Sequence, residues 1–222
     1  MIHHLVFGRK YQIPYELIYN FNGNFNEVNG INNLIPSGKV TFTTDRKGGN
    51  TAVQFGSGNL QTVNNLPDSS VWSISFWFKT NSTANTIWLE LSPLLNTING
   101  FLSTINNDGS GKIRGYINSK NSSYVNHKFT NNSFNDNNWH HLVLILDRTQ
   151  PASNEIKIYV DKVLQSLSST NNSEQEGNFT SEKIYIGARG TTLTQPYNGA
   201  MDDFKLFNRH LNQTEITNLY NE

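Results

Sequence analysis

The chain has 222 residues, 36% of them hydrophobic and 12% aromatic, with seventeen basic side chains against seventeen acidic ones. That is enough apolar material for a substantial core, and all-β domains of this length commonly form one unit. A net charge of zero leaves no basic footprint for nucleic acid or an anionic membrane. The lack of cysteine excludes disulfides, thiol chemistry and Cys-ligated zinc, and no run approaches the ~18 apolar residues of a membrane span.

Taken in chain order, residues 1–14 lack a basic segment followed by a long apolar one, so no secretory signal is visible; they are expected to form an N-terminal arm or edge strand ahead of one domain at 15–222. Further on, short alternating runs are separated by Asn, Gly, Ser and Asp, the pattern of a sandwich or barrel. Trp72, Ile74, Phe76 and Phe78 share one face of a strand, and Ser73, Ser75, Trp77 and Lys79 the other. Turn residues follow at Asn106-Asn107-Asp108-Gly109. Leu142-Val143-Leu144-Ile145-Leu146 is apolar at both parities, which reads as a central strand covered on both faces. Ile156, Ile158 and Val160 alternate with Lys157, Tyr159 and Asp161, and a second turn-rich stretch runs from Ser168 to Gly177. The six Asn-x-Ser/Thr sequons reflect the high Asn content rather than glycosylation.

One helix is specified locally, near the C-terminus. Asn212 is a good N-cap with Glu215 at N3, and Leu211 before the cap can staple to Ile216 at N4. Ile216, Leu219 and Tyr220 form one apolar face, which is expected to pack on the sheets.

Four stretches, in this order, resemble the laminin-G-like, concanavalin A-like jelly-roll family. They are Phe21-Asn22-Gly23-Asn24-Phe25-Asn26-Glu27-Val28-Asn29-Gly30, similar to F-x-G-N-x-x-D-x-S-G, and Asp45-Arg46-Lys47-Gly48-Gly49 through Ala52-Val53-Gln54-Phe55, similar to D-R-x-G-x-x-x-x-A-x-x-F. The third joins Ser73–Phe78 with Trp139-His140-His141-Leu142-Val143 and Ile158-Tyr159-Val160-Asp161; the fourth joins Ile184-Tyr185-Ile186-Gly187 to Asn198–Arg209. The resemblance implies an all-β, two-sheet antiparallel jelly-roll β-sandwich of six or seven strands per sheet, with one short C-terminal helix. It also implies that Trp72, Trp77 and Trp139 lie in the core. The sequence departs from the pattern at Asn26-Glu27 and Asn29, where the family has Asp and Ser. It departs again at Lys162, where the family has a Gly after Asp161. Without that glycine the hairpin turn is expected to be longer or differently shaped.

For function, the glucanases of this broad fold carry E-x-D-x-E on one strand, since glycoside hydrolysis needs two facing carboxyl groups. No such spacing occurs here, and adjacent Asp202 and Asp203 in a regular strand point oppositely. The chain is therefore expected not to be an enzyme. Adjacent His140 and His141 cannot chelate one metal for the same reason; one is expected packed and the other at a surface. Asp202 shares parity with core-facing Phe204 and Leu206, and two readings stand for it. In one, the resemblance implies a structural calcium ion held by Asp202 with Asn26 or Glu27; in the other, backbone N–H groups satisfy the carboxylate.

The expected activity is non-catalytic binding of a glycan or another cell-surface ligand, in recognition or adhesion. Its ligand-binding residues are Arg114, Tyr116, Asn118, Tyr124, Arg189 and Tyr197, because sugars stack on aromatic rings while Arg and Asn bond their hydroxyls. The alternative is a structural or decoration protein of a larger assembly such as a bacteriophage virion, an oligomer docked through residues 1–14. Both readings put the chain outside a cell or on a virion surface.

Overall fold

The computed structural model of the protein describes residues 16–91, 99–106, 108–118, 125–172 and 177–222. The proposed arm at 1–14 therefore lies outside the described residues. In chain order the strands are β1 (Glu16–Tyr19), β2 (Leu34–Ser37), β3 (Val40–Thr43), β4 (Ala52–Phe55), β5 (Asn59–Thr62), β6 (Val71–Lys79), β7 (Thr86–Leu91) and β8 (Phe101–Ile105). They continue with β9 (Lys112–Asn118), β10 (Val125–Ser133), β11 (His140–Asp147), β12 (Ile156–Val160), β13 (Val163–Leu164), β14 (Leu167–Asn172), β15 (Ile184–Ile186) and β16 (Gly199–Phe207). One helix, α1 (Gln213–Asn221), follows.

These strands form two antiparallel sheets of eight strands each, more than the six or seven expected. The first has the order β13-β12-β11-β6-β16-β4-β3, with β1 also on β16; the second runs β14-β10-β9-β8-β7-β15-β5-β2. Period-2 alternation explains the core between them. Trp72, Ile74, Phe76 and Phe78 of β6 and Leu142, Leu144 and Leu146 of β11 meet Trp88, Phe101, Ile113 and Ile117 of the second sheet. Trp88 stands edge-on to Phe76 with ring centroids 5.6 Å apart, one of the arrangements aromatic quadrupoles favour.

The other parity of β11 has its own cover. Val143 and Ile145 join Tyr159, Phe207, Leu211 and Ile216 in a second apolar cluster on the outer face of the first sheet, packed by Leu219. The doubly apolar run of β11 is thus central, as its sequence implies, and α1 is the layer on its outer side. Asn212 accepts from the N–H of Glu215 at 3.0 Å, and the N–H of Asn212 donates to Glu215 at 2.8 Å, closing the capping box.

Three local expectations are corrected. The β12–β13 turn is not longer: Asp161 and Lys162 take φ of 50° and 62° as a two-residue turn. Lys162 tolerates this conformation with its ammonium 4.5 Å over the ring of Tyr220 and its carbonyl accepting from Gln213 at 3.0 Å. Of the three tryptophans assigned to the core, only Trp72 is there. Trp77 is buried on the outer face, beneath Tyr220 and 5.3 Å from its ring centroid, and Trp139 is half-buried just before β11.

The third correction is in β16. A register shift between Asp202 and Lys205 inserts one residue opposite β6, and Asp203 takes φ 48° to accommodate it. The bulge reverses parity, so Met201 and Phe204 both point into the core while Asp202 pairs with outward Trp77. It also marks a handover, since β4 pairs with β16 at Gly199–Met201 and β1 pairs with it at Phe204–Phe207.

Candidate functional site

With α1 over the first sheet, no helix among the described residues lies on the outer face of the second, where Ile87, Glu90, Leu102 and Thr104 are buried and their neighbours half-buried. The strand registers lay out its residues, because directly opposed side chains in an antiparallel pair share a face. One row runs Gln61–Tyr185–Glu90–Leu102–Tyr116–His127 across β5, β15, β7, β8, β9 and β10. The next runs Ile87–Thr104–Arg114–Phe129. In β9, Ile113 and Ile117 are core residues and Gly115 faces Ile156 and Leu144, which sends Arg114 and Tyr116 outward.

Electrostatics tie this face together. Arg189, from the turn after β15, reaches across to Glu90 with Nε 3.2 Å from Oε1. That turn is held by Arg189 N–H donating to Thr194 O at 3.0 Å and by Asn59 donating to Gly190 O at 2.6 Å. The Arg114 guanidinium carbon lies 5.7 Å from the Tyr116 ring centroid and 6.0 Å from that of Phe129. Burial pulls the Arg114 pKa down, Tyr116 works against this, and Arg189 adds to it. His127 lies 4.3 Å from Tyr116, ring to ring; burial first, then the Arg114 charge, drop its pKa to about 4. Arg114, Tyr116, His127, Phe129, Tyr185 and Arg189 are all half-buried, so each presents surface to a ligand.

Three of the residues chosen from the sequence, Arg114, Tyr116 and Arg189, are therefore brought onto one face. Tyr197 is not among them. It is fully buried, packed on Phe55 and edge-on to Trp88, with its hydroxyl 2.9 Å from Lys79 O and 3.2 Å from Ala200 O. Burial pushes its phenol pKa up, and a Cβ on Gly199 would meet the ring at 2.5 Å, so this tyrosine is a core strut. Asn118 is also corrected: it is only 4% exposed, and its backbone carbonyl accepts from Arg148. Tyr124 lies outside the described residues. Sequence reasoning missed Glu90, His127, Phe129 and Tyr185. For Tyr185 a signal existed, since it stands between core residues Ile184 and Ile186.

The proposed calcium ligands do not fit a calcium ion. Calcium takes about six to eight oxygens, whereas Glu27 has both oxygens engaged by backbone N–H groups. Its Oε1 accepts from Ile18 at 3.2 Å, and its Oε2 from Asn29 at 2.8 Å and Ile31 at 3.1 Å. Glu27 staples the first loop at the position where the family pattern has Asp. Asn26 donates its N–H to Asn24 at 2.9 Å within that loop. Because of the bulge, Asp202 faces the Trp77 side, where burial first and Asp203 second raise its pKa to about 7. Its Oδ1 accepts the N–H of Asp203 at 3.0 Å, and Arg46 beside it pairs with Asp203 at 2.8 Å and lies 4.5 Å over Trp77. Among the described residues no three His, Asp or Glu side chains converge on one point.

The adjacent histidines diverge as expected. His141 is buried against Trp77 and bonded to Ser75 at 2.9 Å, with its pKa dropped to about 4 by burial. His140 is half-buried between Asp161 at 2.8 Å and Asp136 at 3.1 Å, and the Asp161 hydrogen bond, chiefly, raises its pKa.

Against known proteins, a family model described as the concanavalin A-like lectin/glucanases superfamily matches residues 47–217. No curated protein matches the sequence. Among solved structures, domain 4 of AbnA, a GH43 extracellular arabinanase from Geobacillus stearothermophilus in complex with arabinotriose, superposes with TM-score 0.68 at 16% identity. The match covers 92% of this chain and 97% of that one. The binding domain of botulinum neurotoxin DC in complex with SialylT gives TM-score 0.66 at 14% identity, over 92% of this chain and 50% of that one. A heptameric SAP-like pentraxin from Limulus polyphemus gives 0.58 at 11% identity, over 82% and 80%. At these identities the likeness is one of fold.

Proposed function

The chain belongs to the concanavalin A-like lectin/glucanase superfamily, and from that premise we propose that it is a non-catalytic module that binds glycan on the outer face of its second sheet. The observation that carries this reading is the convergence of half-buried Tyr116, Arg114 and Arg189 on that face, with buried Glu90 pairing Arg189, while α1 closes the equivalent face of the first sheet. Tyr116 supplies a ring against which a sugar's C–H face packs, and the half-buried Arg114 and Arg189 guanidinium groups donate to its hydroxyls, while buried Glu90 pairs with Arg189. One similar fold was determined in complex with arabinotriose and another, of which this chain matches half, in complex with SialylT, which agrees with this assignment.

The same residues argue against hydrolysis. Cleavage needs an acid and a second carboxylate facing one bond, and here the Glu90 carboxylate is engaged by Arg189. A similar fold occurs as a domain of an extracellular arabinanase, and a glycan-binding module of this kind would act there. We therefore assign the module to an extracellular setting.

The test is a panel of immobilised oligosaccharides probed with the full chain and with Tyr116→Ala. Loss of a ring that stacks on sugar lowers affinity by roughly tenfold, the scale of an aromatic interface anchor. Wild-type binding that Tyr116→Ala leaves untouched would move the site elsewhere. Release of reducing sugar by the wild type would overturn the non-catalytic assignment.

A further inference from the structure

On the candidate face one guanidinium has no carboxylate partner among the described residues. Glu90 and Arg189 offset one another. Arg114 has no such partner: no carboxylate pairs with it among the described residues, and its buried Nε makes no hydrogen bond. Its neighbours are the rings of Tyr116 and Phe129, the neutral imidazole of His127 and a second guanidinium, Arg189. Half-burying a guanidinium without a counter-ion is costly, and rings at about 6 Å offset only part of that cost. At the same time the rings hold the side chain in place, so its planar fork of donors is ordered before any ligand arrives. That fork matches a carboxylate in a bidentate geometry that an ammonium cannot reproduce.

Resting on the glycan-binding reading of this face, we propose that its ligand is an acidic sugar, a uronic or sialic acid residue whose carboxylate is received by Arg114 while its ring lies against Tyr116. The carboxylate supplies the counter-ion that Arg114 lacks among the described residues. Glu90 is buried, lies on the neighbouring row and pairs with Arg189 rather than with Arg114.

The experiment compares each free acid with its own methyl ester, which keeps the sugar and removes the charge. The probes are tetragalacturonate and sialyllactose, titrated into wild type, Arg114→Gln and Arg114→Lys. The wild type is expected to bind at least one free acid about 10- to 100-fold more tightly than its ester, the scale of a charged hydrogen-bonded contact. Added salt should narrow that gap. In Arg114→Gln, acid and ester should come within about twofold of each other. Arg114→Lys, which keeps the charge and the aliphatic stem, should retain a gap smaller than the wild type's. Whichever of the two acids shows the gap identifies the source of the carboxylate. Equal binding of acid and ester by the wild type would overturn the acidic ligand while leaving the glycan site standing. A gap that survives in Arg114→Gln would overturn the role of Arg114. Failure to bind either acid, either ester or any neutral oligosaccharide would instead remove the underlying glycan reading.

Discussion

Tyr220, in the last turn of α1, lies over Trp77 at the middle of the first sheet, with ring centroids 5.3 Å apart. The helix is therefore a structural layer of the sandwich. Ile216 is fully buried with Leu211, Val143 and Ile145, while Lys205 and Lys47 reach Glu222 at the chain end. Truncation after Leu211 should bare this cluster. Each such apolar side chain contributes roughly 1.5–3 kcal/mol, less the cost of ordering the segment. We expect a clearly lower melting temperature, measured by calorimetry. An unchanged one would mean that the outer cluster adds nothing to the fold.

The helix was legible because every determinant is local: the Asn212 cap, Glu215 three residues on, and the flanking Leu211 and Ile216. The same holds for the double apolar parity of β11 and for the outward Arg114 and Tyr116 of β9. What could not be read depends on strand register. Glu90 joins Tyr116 only because β8 aligns Leu102 between them, a pairing that no window of sequence contains. In β10 the alternation misleads, since Asn126, Lys128 and Thr130 are buried while His127 and Phe129 are half-exposed. The bulge at Asp203 carries no glycine to announce it, and one inserted residue moved Asp202 to the opposite face from the one its parity implied.

That displacement makes Asp202 a source of pH dependence. Its folded pKa is raised to about 7 by burial and by Asp203, above the unfolded value of about 3.9. The folded state thus holds an extra proton between about pH 4 and 7, and this group's contribution to stability falls as pH rises through that window. Asp202→Asn keeps an oxygen for the Asp203 N–H and removes the charge; Arg46 retains its pair with Asp203. The variant should exceed the wild type in stability by ~1–3 kcal/mol at pH 8 and match it near pH 4. Urea titrations at the two pH values test this, and a variant less stable than wild type at pH 8 would contradict it.

Removal of metal should have no effect on the fold. The Glu27 carboxylate bonds Ile18, Asn29 and Ile31 without help from a cation. A calcium ion held only by the folded state would stabilise it by about 2.7 kcal/mol at a hundredfold excess over its dissociation constant. Protein stripped of metal should melt at one temperature in chelator and in millimolar calcium. A higher melting temperature with calcium would mean that the ion finds ligands other than these. Glu27→Gln, by contrast, weakens the acceptors for three backbone N–H groups and should destabilise in either buffer.

Gly115 links the core to the binding face. It sits between Arg114 and Tyr116 but points inward, where an added Cβ would lie 2.7 Å from Ile156 Cγ2 and 3.3 Å from Leu144 Cδ1. The missing side chain lets β9 approach the first sheet closely and sets the depth at which its two outward neighbours stand. Ile156 is β-branched and buried, so its Cγ2 cannot swing aside cheaply. Gly115→Ala should therefore cost about 1–3 kcal/mol by overpacking, and lower glycan affinity by lifting Arg114 and Tyr116. Ile156→Ala alone opens a cavity and costs about 2–5 kcal/mol. In the double variant the new methyl occupies the space that Cγ2 vacated, so its loss should fall short of the sum of the two singles by at least about 0.5 kcal/mol. Glycan affinity should recover with it, since β9 can settle back to its original depth. Strictly additive losses would show that the two residues do not compete for one space, and that β9 is positioned by its ladder hydrogen bonds alone.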